Sequence, residues 1–184
     1  MTDQLRVWKV LLVLLISMTC GAIILMGLGN NPPSAGAFSL ASYYKLDPPD
    51  AAVSACKTPI LHGWQRIEIT FSRTQGGDIE YLSSLEGLQN PSQLNAHFVV
   101  CNGVKGDDGL IQPTQRWKLQ QPTRPQRNWG LQNQTISICV VADTPSTPAT
   151  DCQMRRVSAL VQTLSRKFRI DSESISWPGD LAGR

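Results

Sequence analysis

An uncharged and mostly apolar run of 20 residues, Val10 to Gly29, constrains this chain more than any other feature. A helix rises about 1.5 Å per residue, so a run of this length spans a hydrocarbon core about 30 Å thick. Arg6 and Lys9 precede the run, and the next basic residue is Lys45. Because positive charge stays on the cytoplasmic side, the sequence predicts a cytoplasmic N-terminus over residues 1–9 and a transmembrane signal anchor over residues 10–29.

A cleaved signal peptide is the alternative interpretation of this run. The apolar part of such a peptide is usually only about 7 to 15 residues long and ends at a small-x-small site. A lipoprotein would need a better lipid-attachment motif before Cys20 than Ser17-Met18-Thr19. The longer run favours a retained anchor with an unmodified Cys20, and it predicts that the rest of the chain is extracytoplasmic.

Net charge argues against a nucleic-acid partner. The whole chain carries +3, and the part that follows residue 9 carries +2, because Asp3, Arg6 and Lys9 no longer count. Nucleic-acid-binding domains are usually more basic and gather their Lys and Arg residues into one patch. We therefore expect no nucleic acid among the partners.

Two segments after the run lack the periodicity of packed structure. Residues 30–59 are rich in Pro and small residues, which predicts a Pro-rich tether with space for a docked segment. Residues 120–134 predict a long loop, and long loops of compact domains often carry function, for example as a groove wall. Residues 60–184 have the length of a single domain.

Strand and helix patterns alternate within this domain. Strands are predicted at residues 66–72, 96–101, 110–112, 116–119, 135–142 and 170–175, and helices at residues 79–88 and 151–168. Asp78 is expected to cap the first helix. The most hydrophobic strand, residues 135–142, is expected at the sheet centre. The fold class that follows is α/β, with a mixed central sheet flanked by helices.

Four cysteines follow the predicted anchor, namely Cys56, Cys101, Cys139 and Cys152. An even number in an oxidising compartment favours one or two disulfides, with three connectivities open. Cys101 and Cys139 lie in apolar runs, so for them a buried, unbridged thiol is an equal alternative. No Cys and His spacing in the chain indicates a structural zinc.

Four short motifs follow one another between residues 97 and 141. They are His97-Phe98-Val99-Val100, Gly106-Asp107-Asp108-Gly109, Arg116-Trp117 and Ile136-Ser137-Ile138-Cys139-Val140-Val141. Their order resembles the zinc N-acetylmuramoyl-L-alanine amidase and peptidoglycan recognition protein family, over about residues 64–176. The resemblance implies the same α/β fold and cell-wall glycopeptide as the ligand.

The family's chemistry, as the resemblance implies it, uses a zinc ion held by two histidines and a cysteine or an equivalent acceptor. The metal activates water against the amide between muramic acid and L-alanine. At the matching positions this chain has Thr70 for the first histidine, Ala96 for a tyrosine and Pro178 for the last histidine. Only His62 and His97 occur in the chain. We therefore expect no catalytic residue, no bound zinc and no other cofactor.

Ligand binding is the function that survives these substitutions. By the resemblance, the candidate ligand-binding residues are Thr74, His97, Asn102, Asp107, Asp108, Arg116 and Trp117. Arg116 is expected to pair with a carboxylate of the stem peptide. The alternative roles are structural: a hydrogen-bonded His97, a tight turn at residues 106–109 and a core Trp117. Glu68 is expected to be an exposed strand residue, with a general base as its alternative.

The sequence thus predicts a single-pass membrane protein whose extracytoplasmic domain binds peptidoglycan without cleaving it. One alternative is an active amidase that uses atypical ligands. Another is a module that binds a different envelope protein. The predicted partners are accordingly peptidoglycan or an envelope protein, together with the membrane through residues 10–29.

Overall fold

A computed structural model of the chain describes residues 8–9, 11–20, 46–58, 63–124, 134–143 and 146–178. They belong to two units, one within Met1–Ala37 and the other within Phe38–Arg184. In the first unit residues 11–20 are helical. Among the described residues no helix is both long and apolar enough to cross a membrane. Residues 10 and 21–29 of the predicted anchor lie outside the described ranges, so the anchor stays a prediction.

The second unit contains a mixed sheet of five strands. They are β1 Arg66–Phe71, β2 Phe98–Val100, β3 Ile111–Pro113, β4 Thr135–Val140 and β5 Ile175–Ser176. The strand order is β3-β2-β4-β1-β5, so the hydrophobic strand predicted for the centre does lie there. Strands β2, β4, β1 and β5 run parallel, and β3 is antiparallel to β2.

Four α-helices are described in the same unit: α1 Pro49–Ser54, α2 Ile79–Leu85, α3 Gln115–Lys118 and α4 Asp151–Phe168. The bounds of α4 are those predicted, and Thr150 and Gln153 form a capping box at its start. Asp78 caps α2 as predicted, by accepting a hydrogen bond from the Tyr81 N–H at 2.8 Å. Pro91–Gln93 and Ser172–Ser174 form single 3-10 turns.

One strand prediction is wrong, and another overlaps a strand that is shorter than expected. Residues 116–119 alternate Trp117 and Leu119 with basic residues, which resembles a strand, but the first three belong to α3 and Leu119 is its C-cap. The cause is Thr114, whose hydroxyl accepts the Trp117 N–H and caps a helical turn. Residues 170–175 form a 3-10 turn followed by a strand of only two residues, Ile175–Ser176.

The two faces of the sheet pack against different helices. One face presents Ile67, Ile69, Ile136, Ile138 and Val140 to the apolar side of α4, and this is the larger core. The other face contributes Val99 and Val141 to a smaller cluster with Leu82 of α2 and Leu94. Helices on both faces complete the α/β arrangement that the sequence predicts.

Residues 46–58, which we call the strap, are the described part of the predicted tether. The strap is packed: Val53 of α1 is 1% exposed and lies in the larger core. A buried Arg156 donates from Nη2 to the Asp47 carbonyl, and the Lys57 N–H donates to the Lys118 carbonyl at 2.8 Å. Residues of the strap are therefore packed against the domain, and the packed structure begins before residue 60.

All five cysteines are free, which corrects the prediction of disulfides. Cys139 on β4 is in register with Val99 on β2, so Cys101 is offset from Cys139 by two residues along the neighbouring chain segment. Diagonal neighbours on adjacent strands are about 7–8 Å apart, beyond the usual Cα separation of a disulfide. Burial raises the pKa of both thiols to about 12, so they stay protonated and pack as small apolar groups.

Candidate functional site

Thr70 lies on β1, and by the sequence resemblance it stands where the family has its first zinc-binding histidine. It is partly buried, and its hydroxyl is 3.5 Å from the Ile138 carbonyl oxygen, which it can donate to. Its register partner on β4 is Cys139, whose thiol is kept protonated by burial. A neutral threonine hydroxyl is a poor ligand for zinc.

Ala96 and Pro178 are the other two positions that the resemblance assigns to the family's chemistry. Ala96 is 4% exposed, and its carbonyl accepts the Thr114 hydroxyl at 2.7 Å. Pro178 follows β5 and has no donor to offer a metal. Within the described ranges no group of three or more His, Cys, Asp or Glu residues is placed to hold a metal ion. His62 lies outside those ranges.

His97, predicted as a ligand contact, is fully buried between two tryptophans. Its ring makes edge contacts with Trp64 and Trp117 at centroid distances of 4.9 and 5.8 Å. Nδ1 accepts the Ser137 N–H and Nε2 donates to the Gln121 carbonyl, both at 2.9 Å. Both ring nitrogens are thus used by the backbone, and burial lowers the pKa of His97 to about 4. This geometry fits the structural alternative and leaves no nitrogen for a ligand.

Trp117 and Arg116 are both engaged within the fold. Trp117 is fully buried, and its indole N–H donates to the Val53 carbonyl at 3.2 Å. Arg116 is partly exposed and donates from Nε, Nη1 and Nη2 to the carbonyls of Leu94, Pro122 and Gln93. The guanidinium that was expected to bind a peptide carboxylate therefore ties the Pro91–Gln93 turn to the segment after α3.

Replacing Arg116 with alanine is expected to lower the free energy of unfolding by about 2 kcal/mol, because hydrogen bonds from a charged group are lost and their carbonyl acceptors are left behind. Urea unfolding followed by tryptophan fluorescence measures this. Arg116→Lys keeps the charge but cannot make all three guanidinium hydrogen bonds, so it should recover less than half of the lost unfolding free energy. An unchanged stability together with lost peptidoglycan binding would instead return Arg116 to the ligand site.

The remaining candidates lie in turns that follow β1 and β2. The Thr74 hydroxyl is 2.7 Å from the Ser72 hydroxyl, and the Asn102 amide donates to the Gln75 carbonyl at 2.8 Å. Asn102 therefore joins the two turns at the carboxyl edge of the parallel strands, where open α/β sheets usually bind ligands. Both side chains are partly exposed.

The aspartates of the 106–109 turn differ in role. Asp107 is exposed, whereas Asp108 is partly buried and accepts the hydroxyl of Thr150, the N-cap of α4, at 2.7 Å. Burial raises the pKa of the Asp108 carboxyl, although the bond from Thr150 opposes that shift. Asp108 thus fixes the turn to α4, and Asp107 is the one of the pair that faces solvent.

Glu68 is buried, contrary to the prediction of an exposed strand residue. It is 3% exposed at the middle of β1, and its register partners are Ser137 on β4 and Ser176 on β5. Two serines flank this carboxyl on neighbouring strands and make this part of the sheet face polar. The single sequence gives no sign of this grouping, since the three residues are far apart along the chain.

A groove of about 540 Å³ lies between the Pro91–Gln93 turn, the start of α2 and α3. Its polar lining residues are Asn90, Ser92, Thr114, Gln115 and Gln121. Among the described lining residues, Lys118 carries the one charge, and Leu119 and two prolines supply apolar walls. None of the residues predicted to contact a ligand lines this groove. The N-cap pattern at Thr114 is the sequence signal that could have revealed its α3 wall.

No model of a known protein family matches the chain, and no curated protein matches its sequence. The endolysin N-acetylmuramoyl-L-alanine amidase LysCS of Clostridium intestinale URNW is similar in structure at 16% identity and a TM-score of 0.43, over 61% of this chain and 70% of that one. The N-acetylmuramoyl-L-alanine amidase LysC of the same organism is similar at 16% identity and a TM-score of 0.44, over 61% of this chain and 71% of that one. PGRP-Hd from Alvinella pompejana gives 16% identity and a TM-score of 0.41, over 80% of this chain and 91% of the other.

Proposed function

We propose that this chain is a membrane-anchored, extracytoplasmic protein whose α/β domain binds peptidoglycan and does not cleave it. The observation that carries the proposal is the contrast between the formed strands that match the amidase motifs and the residues at the catalytic positions. Residues of the amidase-like motifs form strands β1, β2 and β4, whereas by the resemblance Thr70, Ala96 and Pro178 stand at positions that serve chemistry in the family.

The donors at these positions do not fit zinc. A catalytic zinc site needs three protein ligands and an open position for water. Thr70 offers a neutral hydroxyl directed at a backbone carbonyl, and Ala96 and Pro178 offer no side-chain donor. His97 uses both ring nitrogens inside the core. No hydrolytic step through a metal is therefore assigned to this chain.

The groove beside α3 has the properties of a ligand site. Its volume, about 540 Å³, lies within the roughly 300–1,000 Å³ of known ligand pockets. Side-chain amides and hydroxyls of Asn90, Ser92 and Gln121 can exchange hydrogen bonds with sugar hydroxyls and peptide groups. Lys118 can pair with a carboxylate of the glycopeptide. These features support binding and require no catalytic group.

The test is co-sedimentation of the full chain, purified in a mild detergent, with insoluble peptidoglycan in the presence and absence of zinc. We expect zinc-independent pelleting and no release of peptides that begin with L-alanine. Zinc-dependent pelleting with peptide release would support an active amidase with atypical ligands. No pelleting under either condition would favour the envelope-protein module.

A pair of charge-reversal variants tests whether the ligand binds in the groove. Lys118→Glu is expected to weaken pelleting about tenfold, which corresponds to the loss of about 1.4 kcal/mol of charge-assisted hydrogen bonding. Lys105→Glu makes the same change at an exposed residue outside the groove lining and should leave pelleting unchanged. Equal losses in the two variants would indicate a general charge effect and would remove the groove from the proposal.

A further inference from the structure

The strap contacts the segment that forms one wall of the groove, although no strap residue lines the groove. Four hydrogen bonds join it to a short segment of the chain that includes α3. The Lys57 N–H and the Thr58 hydroxyl both donate to the Lys118 carbonyl, at 2.8 and 3.3 Å. The Trp117 indole donates to the Val53 carbonyl at 3.2 Å, and the Gln120 amide donates to the Cys56 thiol at 3.0 Å.

The opposite side of this segment lines the groove. Lys118, Leu119 and Gln121 all contribute to the lining, whereas no residue of the strap does. Helix α3 has only four residues, and a helix that short does not hold its own position in water. Its placement must therefore come from the contacts that surround it, and the strap supplies those on the side away from the groove.

Gln120 shows that this segment is held under constraint. Its φ is 53°, a left-handed conformation that residues other than glycine rarely adopt. The side chain is buried. Its Oε1 accepts the Trp64 indole N–H at 2.9 Å, and its Nε2 donates to the Cys56 thiol of the strap. Such a conformation persists where surrounding structure fixes it, so loosening the strap should relax the wall.

We propose that the strap is a positioning element for the groove: it sets the wall formed by residues 117–121 and so determines ligand affinity without contact with the ligand. The inference rests on the proposed function for its ligand, but the structural coupling itself can be measured without any ligand. Val53 is the positioning residue at its centre, because its side chain anchors α1 in the core and its carbonyl holds the Trp117 indole.

The test compares two identical substitutions in the same hydrophobic core. Val53→Ala removes two methyl groups from the strap, and Val157→Ala removes the same two from α4, where the residue is also fully buried. Both variants of the full chain should be destabilised to a similar extent. Only Val53→Ala should speed the amide hydrogen exchange of residues 117–121, and only it should weaken pelleting with peptidoglycan, by roughly fivefold.

Thr58→Val is a second, milder variant, since it removes only the hydroxyl that donates to the Lys118 carbonyl. It should speed exchange in the same segment while the rest of the domain stays as protected as in the wild type. The proposal is overturned if exchange of residues 117–121 responds equally to Val53→Ala and Val157→Ala, or to neither. If the wild-type chain does not pellet at all, the function proposed above fails while the exchange measurements still decide the coupling.

Discussion

Lowering the pH from 7 to 4 is expected to cost the folded domain about 3 kcal/mol through His97 alone. The pKa of this ring is lowered to about 4 in the fold, mainly because burial disfavours the charged imidazolium, from an ordinary value of 6.5. The unfolded chain therefore takes up a proton before the folded one does. The stabilisation is complete above about pH 6.5 and is lost as the pH falls toward 4, at about 1.36 kcal/mol per unit.

Urea unfolding at a series of pH values between 7 and 4 measures this dependence. Carboxyl groups also titrate over that range, and Asp108 acts in the opposite direction because burial raises the pKa of its carboxyl. His97→Gln retains an amide donor and acceptor but does not titrate, so the difference between the wild type and this variant isolates His97. Parallel pH profiles for the two proteins would refute the assignment.

Replacing Gln153 with alanine is expected to destabilise the domain by about 4 kcal/mol. The side chain is fully buried at the start of α4. Its Oε1 accepts the Thr150 N–H, and its Nε2 donates to the carbonyls of Val100 and Val141, each at 3.0 Å. The substitution removes one partner from each of three backbone groups, at about 1–3 kcal/mol for a buried group that is left unsatisfied, and it removes the capping box. The Val100 carbonyl still accepts the Val141 N–H at 3.0 Å, so the cost stays well below the sum of three full penalties.

Gln162→Ala is the matched control, because it makes the same change on the exposed side of the same helix. It should alter the free energy of unfolding by less than about 0.5 kcal/mol. Thermal or urea unfolding of both variants gives the comparison. A cost below about 1 kcal/mol for Gln153→Ala would mean that the carbonyls of Val100 and Val141 find other donors, and the proposed link between α4 and the sheet would have to be abandoned.

Long helices with a regular apolar pattern could be predicted from the sequence, because their own residues determine where they begin and end. Helix α4 has an apolar side that repeats over 18 residues and a capping sequence at its start, and its bounds match the prediction. Helix α3 has four residues, too few for a period to appear, so the alternation of Trp117 and Leu119 suggested a strand. The Thr114 cap and the tertiary contacts of Trp117 decide its conformation.

The candidate site was harder to predict, because its residues meet only through the topology of the sheet. The motif resemblance pointed to His97, Arg116 and Trp117 as ligand contacts, whereas in the structure all three side chains bond to backbone groups of the fold. The grouping of Glu68 with two serines depends on the register of three strands. The groove joins the Pro91–Gln93 turn to α3, and no local pattern in either segment indicates the other.

The strand order also determines when this domain can fold during synthesis. Strand β4 lies between β2 and β1, and β1 pairs only with β4 and β5 among the described strands. Until residue 140 has left the ribosome, β1 has no strand to pair with and the parallel part of the sheet cannot begin to form. The parallel part of the sheet therefore forms only after its central strand, the fourth of the five in chain order, has been made, and such non-local pairing is slow compared with helix formation.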